Sequence, residues 1–335
     1  MIGREHCVFS VMLINRFLRE KLLKKKFLFI IFVYIYLILL QKNNCFADLI
    51  YYTTIFYDEQ GERIFYPFAL SYNVNTEELW VIDSKARVTI YTKDFYPILT
   101  LDSNYEISFP KAIAFDREGN VYILENPTDD QPNHRIIILN KSLFHVTTIN
   151  LDEIVKSYSF LPKTLAIDST NRIFIVGENN DIILVLNEKG QIIDKIEIEE
   201  NNRKVKINYV YIDDRDNYYF LSEEDSRVYV LNKDKQIILK FGEKGGMKGK
   251  LSRPQSLCVD KHGNVYVLDY MRHAISIYNK EGKFVDEFGG MGYGNGWFMF
   301  PKDIKIDKEG RLYVADLFNH IVQVLKLVEK DEKQN

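Results

Sequence analysis

One sixteen-residue phrase recurs along this chain at nearly even spacing. Pro254–Asp269 reads PQSLCVDKHGNVYVLD and Pro301–Asp316 reads PKDIKIDKEGRLYVAD. Pro110–Glu125 (PKAIAFDREGNVYILE) and Pro162–Gly177 (PKTLAIDSTNRIFIVG) repeat it, and Pro67–Asp83 and Ile207–Ser222 carry worn copies. The starts fall at 67, 110, 162, 207, 254 and 301. A regular period of this size marks a repeat architecture, in which each unit buries its apolar face mainly against its neighbours. That limits the fold more than any feature of composition.

The pattern inside one copy names the unit. Ser256–Val259 and Val265–Leu268 are short apolar runs of strand length. Between them Asp260-Lys-His-Gly263 is turn chemistry: the Asp side chain accepts backbone N–H groups, and Gly supplies a positive φ. Asn171 and Asp216 replace that glycine in two copies and tolerate the same left-handed conformation. A third strand, Ala274–Tyr278, leads through Asn279-Lys-Glu-Gly282 to a fourth, Lys283–Phe288. Four antiparallel strands repeated six times predict an all-β, six-bladed β-propeller. No stretch of the repeat region shows a helical apolar period. The sixth copy runs only to its third strand, Ile321–Leu327, before a polar tail, 329–335. The missing strand is expected from the other end: Leu49–Tyr57, rich in β-branched and aromatic residues, should complete the last blade and remove two open edges.

The period P-x-x-[IL]-A-[VIF]-D-x-x-G-x-[VL]-Y-V-x-D, followed by a basic residue and alternating apolars, resembles the NHL repeat. The resemblance covers about residues 49–327. The glycine-rich links Phe288–Phe298 and Phe241–Gly249 agree with it. It implies the six-bladed propeller but does not select a function, because similar propellers serve protein binding, RNA binding and enzymatic lysis.

The N-terminus has a different grammar. Lys21-Leu-Leu-Lys-Lys-Lys26 is basic, 27–40 is fourteen apolar residues, and Cys45-Phe46-Ala47 offers small residues for cleavage. Residues 1–47 are therefore expected to be a signal peptide, with Met12 as an alternative start, and 48–328 the exported, monomeric propeller. The alternative is an uncleaved anchor, the sole expected contact with a membrane. Fourteen residues are short for a span, which needs about twenty. After cleavage Cys258 is the one cysteine left, so no disulfide can form within the mature chain; it is expected to be a small buried side chain.

Charge narrows the partners. The whole chain carries −3, while residues 1–47 hold 8 basic against 2 acidic side chains, which leaves about −9 on the remainder. An acidic propeller argues against nucleic acid. Two rings of residues should share one mouth of the channel. Those after each proline are Phe68, Lys111, Lys163, Asn208, Gln255 and Lys302. Those opening the third strands are Arg87, Arg135, Asp181, Arg227, His273 and His320. Lys111, Lys163, Lys302, Arg135, Arg227, His273 and His320 form the candidate site for a small anion, or for a protein partner presenting one. Asp83–Arg87 and Glu223–Arg227 have the spacing of in-blade ion pairs. His273 and His320 occupy matching positions on neighbouring blades, but a metal needs a third ligand and supporting contacts. No cofactor is expected. A channel metal supporting a lyase or hydrolase is the alternative, without a residue set that justifies a reaction. Asp303, Lys305 and Tyr211 are the polar departures on the inner strands. The loop Glu125–His134 enlarges the longest interval and should be an exposed element of the mouth.

Overall fold

The computed structural model describes residues 48–178 and 180–328. The expected leader with its apolar segment 27–40 and the tail 329–335 lie outside the described residues. Within them, six four-stranded antiparallel sheets and one two-stranded ribbon account for every strand. The innermost strands of blades 1 to 6 are Ala69–Asn73, Pro110–Phe115, Pro162–Ile167, Tyr209–Ile212, Pro254–Val259 and Pro301–Ile306. In blade 6 the order from outside inward is Asp48–Ile55, Ile321–Val328, Arg311–Asp316, Pro301–Ile306. The N-terminal strand therefore closes the ring, as the strand count required.

The repeated phrase is the wiring diagram of the inner hairpin. In blade 5 the Asp260 carboxylate accepts the backbone N–H of His262 and of Asn264, both at 2.8 Å. Its other oxygen takes the Asn264 amide at 2.8 Å and the Tyr266 hydroxyl at 3.2 Å. Gly263 sits at φ 85°, and Asn171 and Asp216 hold the equivalent place at φ 60° and 59°. These residues fix the turn, so the strands beside it keep one register.

The acid that closes the phrase has a second task. Glu125 accepts Ser108 N–H at 2.7 Å, Asp269 accepts Ser252 N–H at 2.6 Å, and Asp316 accepts Met299 N–H at 2.7 Å. Each ties the link entering a blade to that blade's second strand. Blade 3 has Gly177 in this slot because Phe160, fully buried, fills the space: a Cβ on Gly177 would lie 2.9 Å from its ring.

The core lies between blades. Leu124, Ile136 and Ile138 of blade 2 pack with Leu165, Ile173 and Leu184 of blade 3. Ile55, Leu70 and Leu79 pack with Tyr313, Val322 and Val324 across the closure. Burying such side chains contributes about 1.5–3 kcal/mol each. Two elements depart from the sequence reading. The ribbon Glu199–Glu200 with Arg203–Lys204 is one. The other is a helix, Asp152–Tyr158, with Asp152 and Glu153 in its first turn, Lys156 in its last and Ile154 buried. At seven residues it is too short to show a helical period, and it accounts for part of the long interval assigned above to Glu125–His134 alone.

Candidate functional site

The inner strands enclose a central cavity of about 530 Å³, reached at one end by Phe68, Lys111, Lys163, Gln255 and Lys302 together with Glu178. Five of the six residues that follow the prolines or stand in their place thus converge as expected. The sixth, Asn208, turns its amide to Pro254 O at 3.2 Å.

The three lysines differ in their partners. Lys111 Nζ bonds Glu178 at 2.8 Å. Lys302 Nζ sits 4.7 Å above the Tyr270 ring, a cation–π contact. Lys163 makes neither contact, and among the described residues neither Lys163 nor Lys302 makes a hydrogen bond or ion pair with a protein group. Burial lowers the pKa of Lys163, and Lys302 and Lys111 push the same way against the partial support of Glu223 and Glu178. Burial lowers Lys302 as well, with Arg253 next in effect. An ammonium removed from water without a counter-charge is unfavourable, and an arriving anion relieves that cost.

The second predicted ring does not join this cluster. None of Arg135, Arg227, His273 and His320 lines the cavity. Arg135 bonds Glu125 at 2.7 Å and Glu106 O at 3.0 Å. Arg87 is buried among Asp58, Asp83 and Arg63 O, so the Asp83–Arg87 pair is present. The Glu223–Arg227 pair is not. Arg227 bonds Glu200 of the ribbon at 2.8 Å, and Glu223 instead holds Arg253 at 2.5 Å and Gln255 at 2.6 Å. In blade 4 Ser222 occupies the acid slot, so Glu223 comes one residue late, in the turn beyond the strand. Lys240, Tyr229 and Arg227 then bring the Glu200 carboxyl down to about 2.

The two histidines are inter-blade acceptors rather than a pair. His273 Nδ1 accepts Phe300 N–H at 3.0 Å, and His320 Nδ1 accepts Tyr66 N–H at 3.1 Å. Each joins its blade to the residue before the next blade's proline. Burial lowers both pKa values, which favours the neutral rings that can accept. Among the described residues no group of three or more His, Cys, Asp and Glu is placed to hold a metal.

Deeper in the channel the polar departures assemble. Lys305 Nζ lies 2.6 Å from Asp303 Oδ1 and 2.7 Å from the Tyr209 hydroxyl. Ser256 Oγ bonds the same Asp303 oxygen at 2.5 Å, and Asp303 Oδ2 accepts Leu70 N–H at 2.8 Å. This clasp joins blades 4, 5, 6 and 1, the last across the closure. Burial opposes the charge on Lys305, but Asp303 and Tyr209 outweigh it and hold the ammonium above the ordinary lysine range. Burial and Asp303 push Tyr209 up to about 12. Tyr211 and Cys258 also line the cavity, and burial raises both. At the far end Asp116, Asp168, Asp213 and Asp216 are largely consumed by their own turns and by Ser169.

Comparison with known proteins agrees on the architecture. A family model described as 6-bladed beta-propeller, a domain of unknown function, matches residues 248–324. No curated protein matches this chain in sequence. A Bacteroides thetaiotaomicron protein of unknown function superposes with a TM-score of 0.63 at 15% identity, covering 84% of this chain and 76% of that one. An auxiliary nutrient binding protein from Bacteroides ovatus gives 0.63 at 13% identity, covering 84% and 78%. A catalytically inactive virginiamycin B lyase from Staphylococcus aureus, with quinupristin, gives 0.56 at 13% identity, covering 84% and 99%. The likeness is one of fold.

Sequence reasoning missed Glu178 and gave Glu223 the wrong partner. Glu178 lies just beyond the phrase in blade 3 and Glu223 just beyond it in blade 4. An acid displaced from the closing slot is the signal that would have found both.

Proposed function

We propose that this chain is an exported or membrane-anchored binding module of NHL type, whose channel mouth takes a small anionic ligand on Lys163 and Lys302, beside Lys111. The observation that carries this reading is the pair of lysine ammonium groups that form no ion pair or hydrogen bond among the described residues although they are partly withdrawn from water. Four cations, Lys111, Lys163, Lys302 and Arg253, face two carboxylates, Glu178 and Glu223. The mouth is thus positive on a propeller whose overall charge is negative. This favours a small or locally presented anion over a polyanion such as nucleic acid, which the whole surface repels. Binding proteins for nutrients among the similar folds support a binding role in general terms.

The test is a thermal-shift panel with citrate, phosphate and sulfate. A bound anion stabilises the folded state by mass action, about 2.7 kcal/mol at one hundred times Kd. Citrate should therefore raise the Tm by several degrees in low salt. The rise should shrink at physiological ionic strength, where exposed charges are screened over about 8 Å. Binding should also fade as pH rises toward 10.5, the ordinary lysine value, and do so earlier than an unperturbed lysine would allow. Equal shifts in wild type and a Lys163, Lys302→Ala protein would exclude the mouth.

A further inference from the structure

A lysine short of hydrogen bonds in a concave site is more than a charge. Its nitrogen, once neutral, carries an unused lone pair. Two of the four cavity lysines are committed: Lys111 to Glu178, and Lys305 to Asp303 and Tyr209. Lys163 lies on the inner strand of blade 3 and lines the cavity together with Lys111, Lys302 and Glu178. It is partly withdrawn from water, and the ammonium groups of Lys302 and Lys111 act on it. Lys302, over Tyr270, is free to hold a carboxylate nearby.

We propose that Nζ of Lys163 is a nucleophile that condenses with the carbonyl of a 2-oxo carboxylate seated in the mouth. The inference rests on the anion-binding reading above, since Lys302 would fix the carboxylate while Lys163 meets the carbonyl carbon. The neutral amine adds to that carbon. The two nitrogen protons leave with the carbonyl oxygen as water, and a C=N bond replaces C=O. No oxidant or reductant is needed. The lowered pKa of Lys163 supplies the neutral amine, because each unit of lowering raises its fraction about tenfold near neutral pH. Lysines placed beside other cations and away from water are the ones that proteins use in this chemistry.

The experiment is reductive trapping on the full mature chain. The protein is incubated with 2-oxoglutarate and sodium cyanoborohydride at neutral pH, and adducts are located by peptide mass mapping. Lys163 should be labelled faster than the mean of the other lysines, with its rate levelling off at lower pH than theirs. Lys163→Arg should remove that adduct, and binding of 2-hydroxyglutarate, which has no keto group, is read on the wild-type protein by calorimetry. Labelling spread evenly over the lysines, with 2-hydroxyglutarate still bound through Lys302, overturns the nucleophile and leaves the anion site standing. Even labelling with no binding of 2-hydroxyglutarate overturns both.

Discussion

Deleting residues 48–55 is expected to leave no stable monomer. The strand Asp48–Ile55 is the outer member of blade 6, and without it Ile321–Val328 becomes an open edge. Leu49 and Ile55, 8% and 4% exposed, leave the fold with it, and Ile55 belongs to the core that joins blades 6 and 1. Losing a buried Leu or Ile side chain costs about 2–5 kcal/mol, and an uncovered β-edge offers a template for pairing with another copy. Light scattering after size exclusion should show oligomers, and any residual monomer should melt at least about 10 °C lower, as several kcal/mol implies for a domain of this size. A truncated protein that stays monomeric with the wild-type Tm would refute closure by the N-terminal strand.

Asp303→Ala is expected to be the most damaging single substitution in the channel. It strands the Lys305 ammonium, which keeps only the Tyr209 hydroxyl and Ile304 O, and it orphans the Leu70 N–H of the neighbouring blade. Breaking a buried ion pair by removing one partner costs about 3–5 kcal/mol, whereas replacing both by apolar groups is often near neutral. Asp303→Leu combined with Lys305→Met should therefore recover most of the loss, though not the bond from Leu70. Urea unfolding measures both. A loss under about 1 kcal/mol for Asp303→Ala, the size of a surface pair, would mean that the clasp does not hold the ring.

The fold was legible because each recurring element of the phrase performs a local task that its residue type allows. Asp260, Gly263 and Asn264 write a turn, and the closing acid ties the incoming link. Six copies then leave one spare strand at the N-terminal end and the last blade one strand short, and closure follows by counting. The site was only half legible. The residue after each proline points at the channel because the inner strand begins there, so Lys111, Lys163 and Lys302 could be read in register. The second ring failed because position along the repeat does not tell which acid a long side chain will find. Arg227 found Glu200 on a ribbon that lies outside the period, and each histidine found a backbone N–H on the next blade. The clasp was hidden for a similar reason. Asp303 and Lys305 are visible as oddities of blade 6, but Tyr209 and Ser256 are ordinary residues on their own strands, and only ring closure brings the four together.

Lys163→Met puts the central claim at risk most directly. At neutral pH the protonated side chain is disfavoured in the folded chain, since its folded pKa lies below the unfolded value. Its charge therefore costs stability there, and the cost fades as pH rises through the folded pKa. Methionine keeps the stem and removes the charge. If the mouth is a binding site, the variant should melt higher than wild type, while calorimetric titration with citrate shows binding lost. A variant that melts lower and binds citrate as wild type does would contradict the account, and would make Lys163 a structural residue of blade 3.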